Sequence, residues 1–147
     1  MDRVKNALTS YFVAPLPTSP GTEPEYLELG NWITSVTDDT DETSEAIGYY
    51  SGDGNPETDV TSRLEQYSFE GTFDKNDPAM AFVDSRKREI GQGRKIMFKI
   101  VEDDGTEIEG PATLTVPITT GGEATEFKAF SCTIGFNRTP TVTEPTP

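Results

Sequence analysis

The sequence predicts a mainly β domain, an antiparallel β-sandwich or flattened barrel carrying one α-helix. Three observations point there. Apolar and polar residues alternate with period two, as in Tyr67, Phe69, Gly71 and Phe73 against Ser68, Glu70 and Thr72. Turn chemistry punctuates the alternation at Asp103-Asp104-Gly105 and at Gly121-Gly122. One segment, about residues 77–90, carries helix start and stop signals.

Residues 1–24 read as an N-terminal arm. Pro15, Pro17, Pro20 and Pro24 oppose a regular sheet or helix, because proline lacks the N–H that both need. Before them Val4, Ala7, Leu8, Tyr11 and Phe12 have helical spacing. A short amphipathic turn and an extended arm laid on a neighbour both fit that pattern. Leu8, Tyr11, Phe12 and Val13 are then the arm's contact candidates.

Residues 25–138 form the β domain. The first strand region runs from Tyr26 to Thr37, through Trp32, Ile33 and Val36. Residues 38–45 hold Asp38, Asp39, Asp41, Glu42 and Glu45; five carboxylates in eight residues repel one another and predict an exposed turn or loop. A short strand follows at Ala46–Tyr50, and then a second polar loop containing Asp53, Glu57 and Asp59. From Val60 the strand pattern returns.

The helix is framed by Asp77 as N-cap, Pro78 at its first position and Gly91 as its stop. Ala79, Phe82, Val83 and Ile90 supply an apolar face, and Arg86, Lys87 and Arg88 lie where the helix dipole favours cations. Three more strands follow. Ile96, Phe98 and Ile100 share a face; so do Ala112, Leu114, Val116 and Ile118, with Pro117 marking an edge or a bulge; so do Phe130, Cys132, Ile134 and Phe136. About seven strands result. Residues 139–147, rich in Thr and Pro, read as a flexible C-terminal tail.

Composition narrows the function. The chain has 147 residues, a net charge of −14 and a hydrophobic fraction of 33%. That fraction is low for a globular domain, so part of the chain is expected to be arm, loop or interface. Residues 6–62 carry 11 carboxylates and no Lys or Arg, whereas Arg86, Lys87, Arg88 and Arg94 cluster later as a basic partner surface. Segregated charge of this kind makes head-to-tail contacts between copies complementary; a solvated acidic surface with one basic helix end is the plain alternative. No stretch is apolar enough to span a membrane, and no secretory leader is evident.

Catalytic chemistry finds little support. There is no histidine, which removes the commonest general base and metal ligand. Cys132 alternates in phase with Phe130 and Ile134 and reads as a small core hydrophobe. Asp53, Asn55, Glu57 and Asp59 place oxygens like the start of a calcium loop, but Thr58 and Leu64 stand where Gly and Glu are needed. Gly91-Gln92-Gly93-Arg94-Lys95 follows a helix and precedes a strand, the wrong order for a phosphate loop. With 26 acidic residues, some carboxylate pair always looks like a glycosidase dyad, so no pair is informative. No cofactor is expected, and no enzyme.

An ordered series of landmarks remains. Asn31-Trp32-Ile33-Thr34-Ser35-Val36 is followed by the acidic run and by Ala46-Ile47-Gly48-Tyr49-Tyr50-Ser51-Gly52-Asp53-Gly54. Tyr67-Ser68-Phe69-Glu70-Gly71, Asp77-Pro78-Ala79, Gly91-Gln92-Gly93-Arg94, Gly110-Pro111-Ala112-Thr113-Leu114-Thr115 and Gly121-Gly122 complete it. The series resembles the major tail (tail tube) proteins of long-tailed phages of Gram-positive bacteria, over about residues 4–140. Ser51 departs from the acidic residue expected before Gly52.

The resemblance implies a tail-tube-like fold and a structural virion protein, made in the host bacterial cytoplasm. Copies would form hexameric rings stacked into a hollow tube for DNA passage during ejection. A long loop and terminal arms would bridge successive rings. Asp38, Asp39, Asp41, Glu42, Glu45, Asp53, Glu57 and Asp59 become candidates for that inter-subunit loop. Expected partners are the chain itself, the tape measure, tail terminator and distal tail or baseplate proteins, and phage DNA passing without specific binding; no membrane is expected. The competing expectation is a carbohydrate-binding or adhesin module of a virion or cell surface, for which Trp32, Tyr49 and Tyr50 are the exposed aromatic candidates.

Overall fold

The alternation read in the sequence becomes two faces of one strongly curled antiparallel sheet in the computed structural model, which describes residues 3–17, 21 and 23–144. Its strands are β1 (Ser10–Pro15), β2 (Leu27–Glu28), β3 (Ile33–Asp38), β6 (Gln66–Thr72), β7 (Lys95–Val101), β8 (Glu107–Ile118), β9 (Ala129–Phe136) and β10 (Thr141–Thr143). The order is β2-β1-β7-β8-β9-β6-β3, with β10 pairing the start of β8. Two further strands, β4 (Asp41–Gly48) and β5 (Pro56–Leu64), pair only with each other. The mainly β, antiparallel class with one helix is therefore what the chain adopts, as a half-barrel.

The core lies inside the curl. Ile96, Phe98 and Ile100 of β7, Ala112 and Leu114 of β8, and Phe130, Cys132, Ile134 and Phe136 of β9 are all buried. Alternate residues point outward on each strand, as a one-face-buried sheet requires. Curling brings distant strands together: Tyr11 on β1 lies edge-on to Phe69 on β6, and Phe98 contacts both. Pro117 sits within a register shift between Thr115 and Ile118, where Val116 has φ 45°. The bulge accommodates the missing donor.

The one α-helix among the described residues, α1 (Pro78–Arg86), packs Ala79, Met80 and Val83 into the same core and lies against β2 and β8. Asp77 caps it as expected, accepting from the Met80 N–H at 3.2 Å. The helix stops at Arg86, short of the predicted end near residue 90. Two features of the sequence end it early. Arg94 donates to the carbonyls of Lys87 (2.7 Å) and Glu89 (2.9 Å), satisfying groups a longer helix would have used. Gly91, at φ 64°, then opens a separate 3-10 turn over Gly91–Arg94. Ile90, assigned to the apolar face, is exposed instead.

Four other expectations change. Within the proposed arm, residues 10–15 are a full strand between β2 and β7, and Val13 and Ala14 are completely buried. Pro15 ends that strand, where its missing N–H costs no ladder bond. Pro20 lies outside the described residues. The acidic run is not a loop: residues 41–48 are strand β4, in which every side chain is exposed. The polar segment after it is a turn only up to residue 55, and β5 begins at Pro56. Thr141–Thr143 of the supposed flexible tail are β10, paired to Glu107–Glu109; residues 145–147 lie outside the described residues.

Candidate subunit interfaces

The β4–β5 hairpin continues the β3–β6 pair rather than branching from it. Asp38 pairs with Tyr67, the Asp39 N–H donates to the Gln66 carbonyl at 2.9 Å, and Asp41 pairs with Leu64. No residue slips across that junction, so β3–β4 and β5–β6 form one ribbon. At ~3.3 Å per residue, β4 carries the ribbon about 25 Å past the sheet. The carboxylates that were expected to force a loop are accommodated because they point into solvent, and Arg63 donates to Glu42 at 2.8 Å and to Glu65 at 3.2 Å.

The ribbon's two faces differ. A register shift follows Thr43; beyond it Ser44 lies opposite Val60 and Ala46 opposite Thr58, an uncharged face. On the other face Glu45 lies opposite Asp59 and Ile47 opposite Glu57. Like charges directly across a ladder destabilise it. The tip is a 3-10 turn, Tyr50–Gly52, held by the N–H groups of Gly52 and Gly54 donating to the Tyr49 carbonyl. Asp53 at φ 56° and Gly54 at φ 79° reverse the chain. Tyr50 stands wholly in solvent, and the Tyr49 hydroxyl donates to Asp59 at 3.3 Å. An isolated two-stranded hairpin is marginal in water. In this one Val60 and Leu64 are also exposed, so little apolar burial within the chain supports it.

At the opposite end of the same ribbon lies an exposed aromatic cleft of about 480 Å³, lined by Trp32, Phe73, Asp74, Lys75, Phe127 and Lys128 among others. Trp32 has φ 66°, a strained conformation for a bulky residue that costs roughly 1–3 kcal/mol. Its indole N–H donates to Asp74 at 3.0 Å, and its carbonyl accepts from the Thr72 N–H at 3.0 Å. Gly71 makes this possible, since a Cβ there would stand 2.0 Å from the Trp32 carbonyl oxygen. Trp32 is 57% exposed and Phe127 83%. Sequence reasoning named Trp32 but missed Phe127, Lys75 and Lys128; the only signal was a lone aromatic in the polar stretch after Gly122.

The other candidates divide. Of the arm residues, Val13 is core, Tyr11 belongs to the aromatic cluster, and Phe12 packs on Tyr26 under the Lys99 ammonium; Leu8 remains exposed. Of the basic group, Arg94 caps carbonyls and Lys87 binds Asp84 (3.0 Å) and Thr119 (3.0 Å). Arg86 lies over the Phe82 ring, and Arg88 is exposed. Arg94, which also donates to the Leu114 carbonyl at 3.4 Å, and Lys87 thus link the segment after α1 to β8 and to Thr119 just beyond it. Burial pushes the Cys132 thiol up to about 12, so it stays protonated and inaccessible at neutral pH. Among the described residues no helix is long and apolar enough to cross a membrane.

The sequence matches no known family and no curated protein. The fold, however, has solved counterparts. The chain superposes on a subunit from the tail of an empty gene transfer agent particle, determined with helical C6 symmetry, with a TM-score of 0.65 and 15% identity, covering 98% of this chain and 100% of that one. A chain from the virion of a native gene transfer agent gives 0.57 at 15% identity, covering 90% and 95%. A chain from the extended sheath–tube complex of an extracellular contractile injection system gives 0.56 at 12% identity, covering 98% and 93%. Such low identity establishes a shared fold over nearly the whole of each chain.

Proposed function

We propose that this chain is the major subunit of a phage-type tail tube, a structural protein whose copies form hexameric rings stacked into a hollow conduit. The carrying observation is the projecting ribbon, whose apolar residues Ile47, Val60 and Leu64 and tip residues Tyr49 and Tyr50 all remain exposed. Similarity of fold to chains of a gene transfer agent tail and of a sheath–tube complex supports the same reading. So does β3, which forms a margin of the sheet with no strand on its outer edge among the described residues. Open margins template association, and a rotationally repeated head-to-tail contact closes a ring.

In this reading the acidic ribbon bridges rings, and the exposed Leu8, just before β1, lies near a neighbour. The tape measure, tail terminator and baseplate proteins meet the tube's interior and ends. Long-tailed phages of Gram-positive bacteria are the setting the sequence landmarks favour, with the product in the virion tail. DNA passes without specific binding because like-charged walls do not hold phosphates. Catalysis plays no part: the sole thiol is buried and the chain has no histidine.

Negative-stain microscopy of the concentrated, purified protein tests the proposal. Tubes or stacked rings of uniform diameter are expected. The rival, a glycan-binding module, draws on the Trp32–Phe127 cleft; persistent monomers that bind a glycan array saturably, and lose binding on Phe127→Ala, would replace the tube reading with it.

A further inference from the structure

The tip and the cleft occupy opposite ends of one ribbon. β3 runs from the cleft at Trp32 toward Asp38, β4 carries on to Gly48, and β5–β6 return to Thr72 beside the cleft. At ~3.3 Å per residue the two features stand about 50 Å apart along the strand axis. One subunit thus presents a protruding aromatic feature at one end and a recessed aromatic feature at the other. A contact between such unlike ends is heterologous, and when repeated it propagates along an axis.

We propose that the Tyr49–Tyr50 tip of one copy seats in the Trp32–Phe73–Phe127 cleft of a second copy in the adjacent layer. The inference rests on the tube reading and names the contact that would stack its rings. Three properties favour a second copy as the occupant. Tip and cleft are both aromatic and both exposed, and aromatic pairs gain from edge-to-face and offset contact beyond the area they bury. Their charges are complementary. Glu45, Glu57 and Asp59 share one face near the tip, and two of them oppose each other with no cation across the ladder. The cleft supplies Lys75 and Lys128, while its one lining carboxylate, Asp74, is engaged by the Trp32 indole. Finally, the ring is presented at a cost: Trp32 keeps a strained backbone, and Asp74 fixes its indole in an exposed position.

Disulfide trapping tests this. The double variant Tyr50→Cys/Phe127→Cys, assembled and mildly oxidised, should give a ladder of linked multimers, because each copy carries one tip and one cleft thiol. Either single variant should give dimers at most, and buried Cys132 contributes none. In parallel, Tyr49→Ala/Tyr50→Ala should raise the concentration needed for tube formation at least tenfold. Glu57→Lys/Asp59→Lys should do likewise and be rescued by Lys75→Glu/Lys128→Glu. All these positions are solvent-facing or half-buried, and unchanged circular dichroism and melting temperature confirm that the variants fold. Tubes that form without a ladder, with the tyrosine variant assembling as wild type does, overturn the docking and leave the tube reading intact. Monomers at every concentration with no ladder overturn both.

Discussion

Tyr11 and Phe69 meet edge to face with ring centroids 5.1 Å apart, although β7, β8 and β9 separate their strands in the sheet. Only a sheet that curls back on itself brings β1 against β6, and the aromatic contact is the seam of the half-barrel. Phe98 lies 6.0 Å from Phe69 and 5.3 Å from Phe136, which extends the cluster across the interior. Phe69→Ala should therefore destabilise the fold by about 3–5 kcal/mol, and Phe69→Leu by much less. Urea unfolding followed by tyrosine and tryptophan fluorescence measures both; equal midpoints for Phe69→Ala and wild type would refute the seam.

Gly71 should tolerate no side chain. A Cβ at this position would meet the Trp32 carbonyl oxygen and the Ile33 Cα, both backbone atoms that cannot swing aside. Gly71→Ala is expected to cost about 1–3 kcal/mol, as overpacking does, and to shift the emission of the single tryptophan. Retention of the wild-type spectrum and melting temperature would show that Trp32 is not held as described.

Asp77 is nearly buried at the start of α1, where it accepts from the Met80 N–H and, at 3.4 Å, from the Asn31 amide. Asp77→Ala should lower stability by about 1 kcal/mol, the usual worth of an N-cap, whereas Asp77→Asn should stay close to wild type. Thermal melts of the two variants distinguish capping from simple charge at the helix end.

The Asp84 carboxyl is held below its ordinary value, first by the Thr119 hydroxyl donating at 2.7 Å and second by Lys87. A depressed folded-state value means that the charged form is favoured by folding. Its stabilisation is complete above the unfolded value, roughly 3.9, and is lost as pH falls through the lower folded value. Asp84→Asn should melt slightly below wild type at pH 7, and the gap should close on acidification toward about pH 2. A gap that widens in acid would contradict the assignment.

Cys132 should resist a thiol reagent in the folded protein at pH 8, because burial both shields it and keeps it protonated. Its labelling rate should follow global unfolding as urea is raised. Rapid labelling without denaturant would mean that β9 opens locally.

The sequence by itself determined what local chemistry can determine. Period-two alternation placed β6, β7 and β9 and the burial of Phe98, Phe130, Cys132 and Ile134, because a half-buried strand shows its face in every second residue. Asp77 and Pro78 located the start of α1, since capping involves only neighbouring residues. Tertiary structure decided what depends on partners distant in the chain. Residues 10–15 became an inner strand because β7 offered an edge and the core took Val13, which outweighed the prolines beyond them. Residues 41–48 became a strand because the β3–β6 ladder continued through them, and solvent-facing carboxylates oppose pairing less than a ready ladder favours it. The aromatic cleft was invisible in the sequence for the same reason: Trp32, Phe73 and Phe127 stand far apart in the chain, and only the path of the folded sheet gathers them at one end.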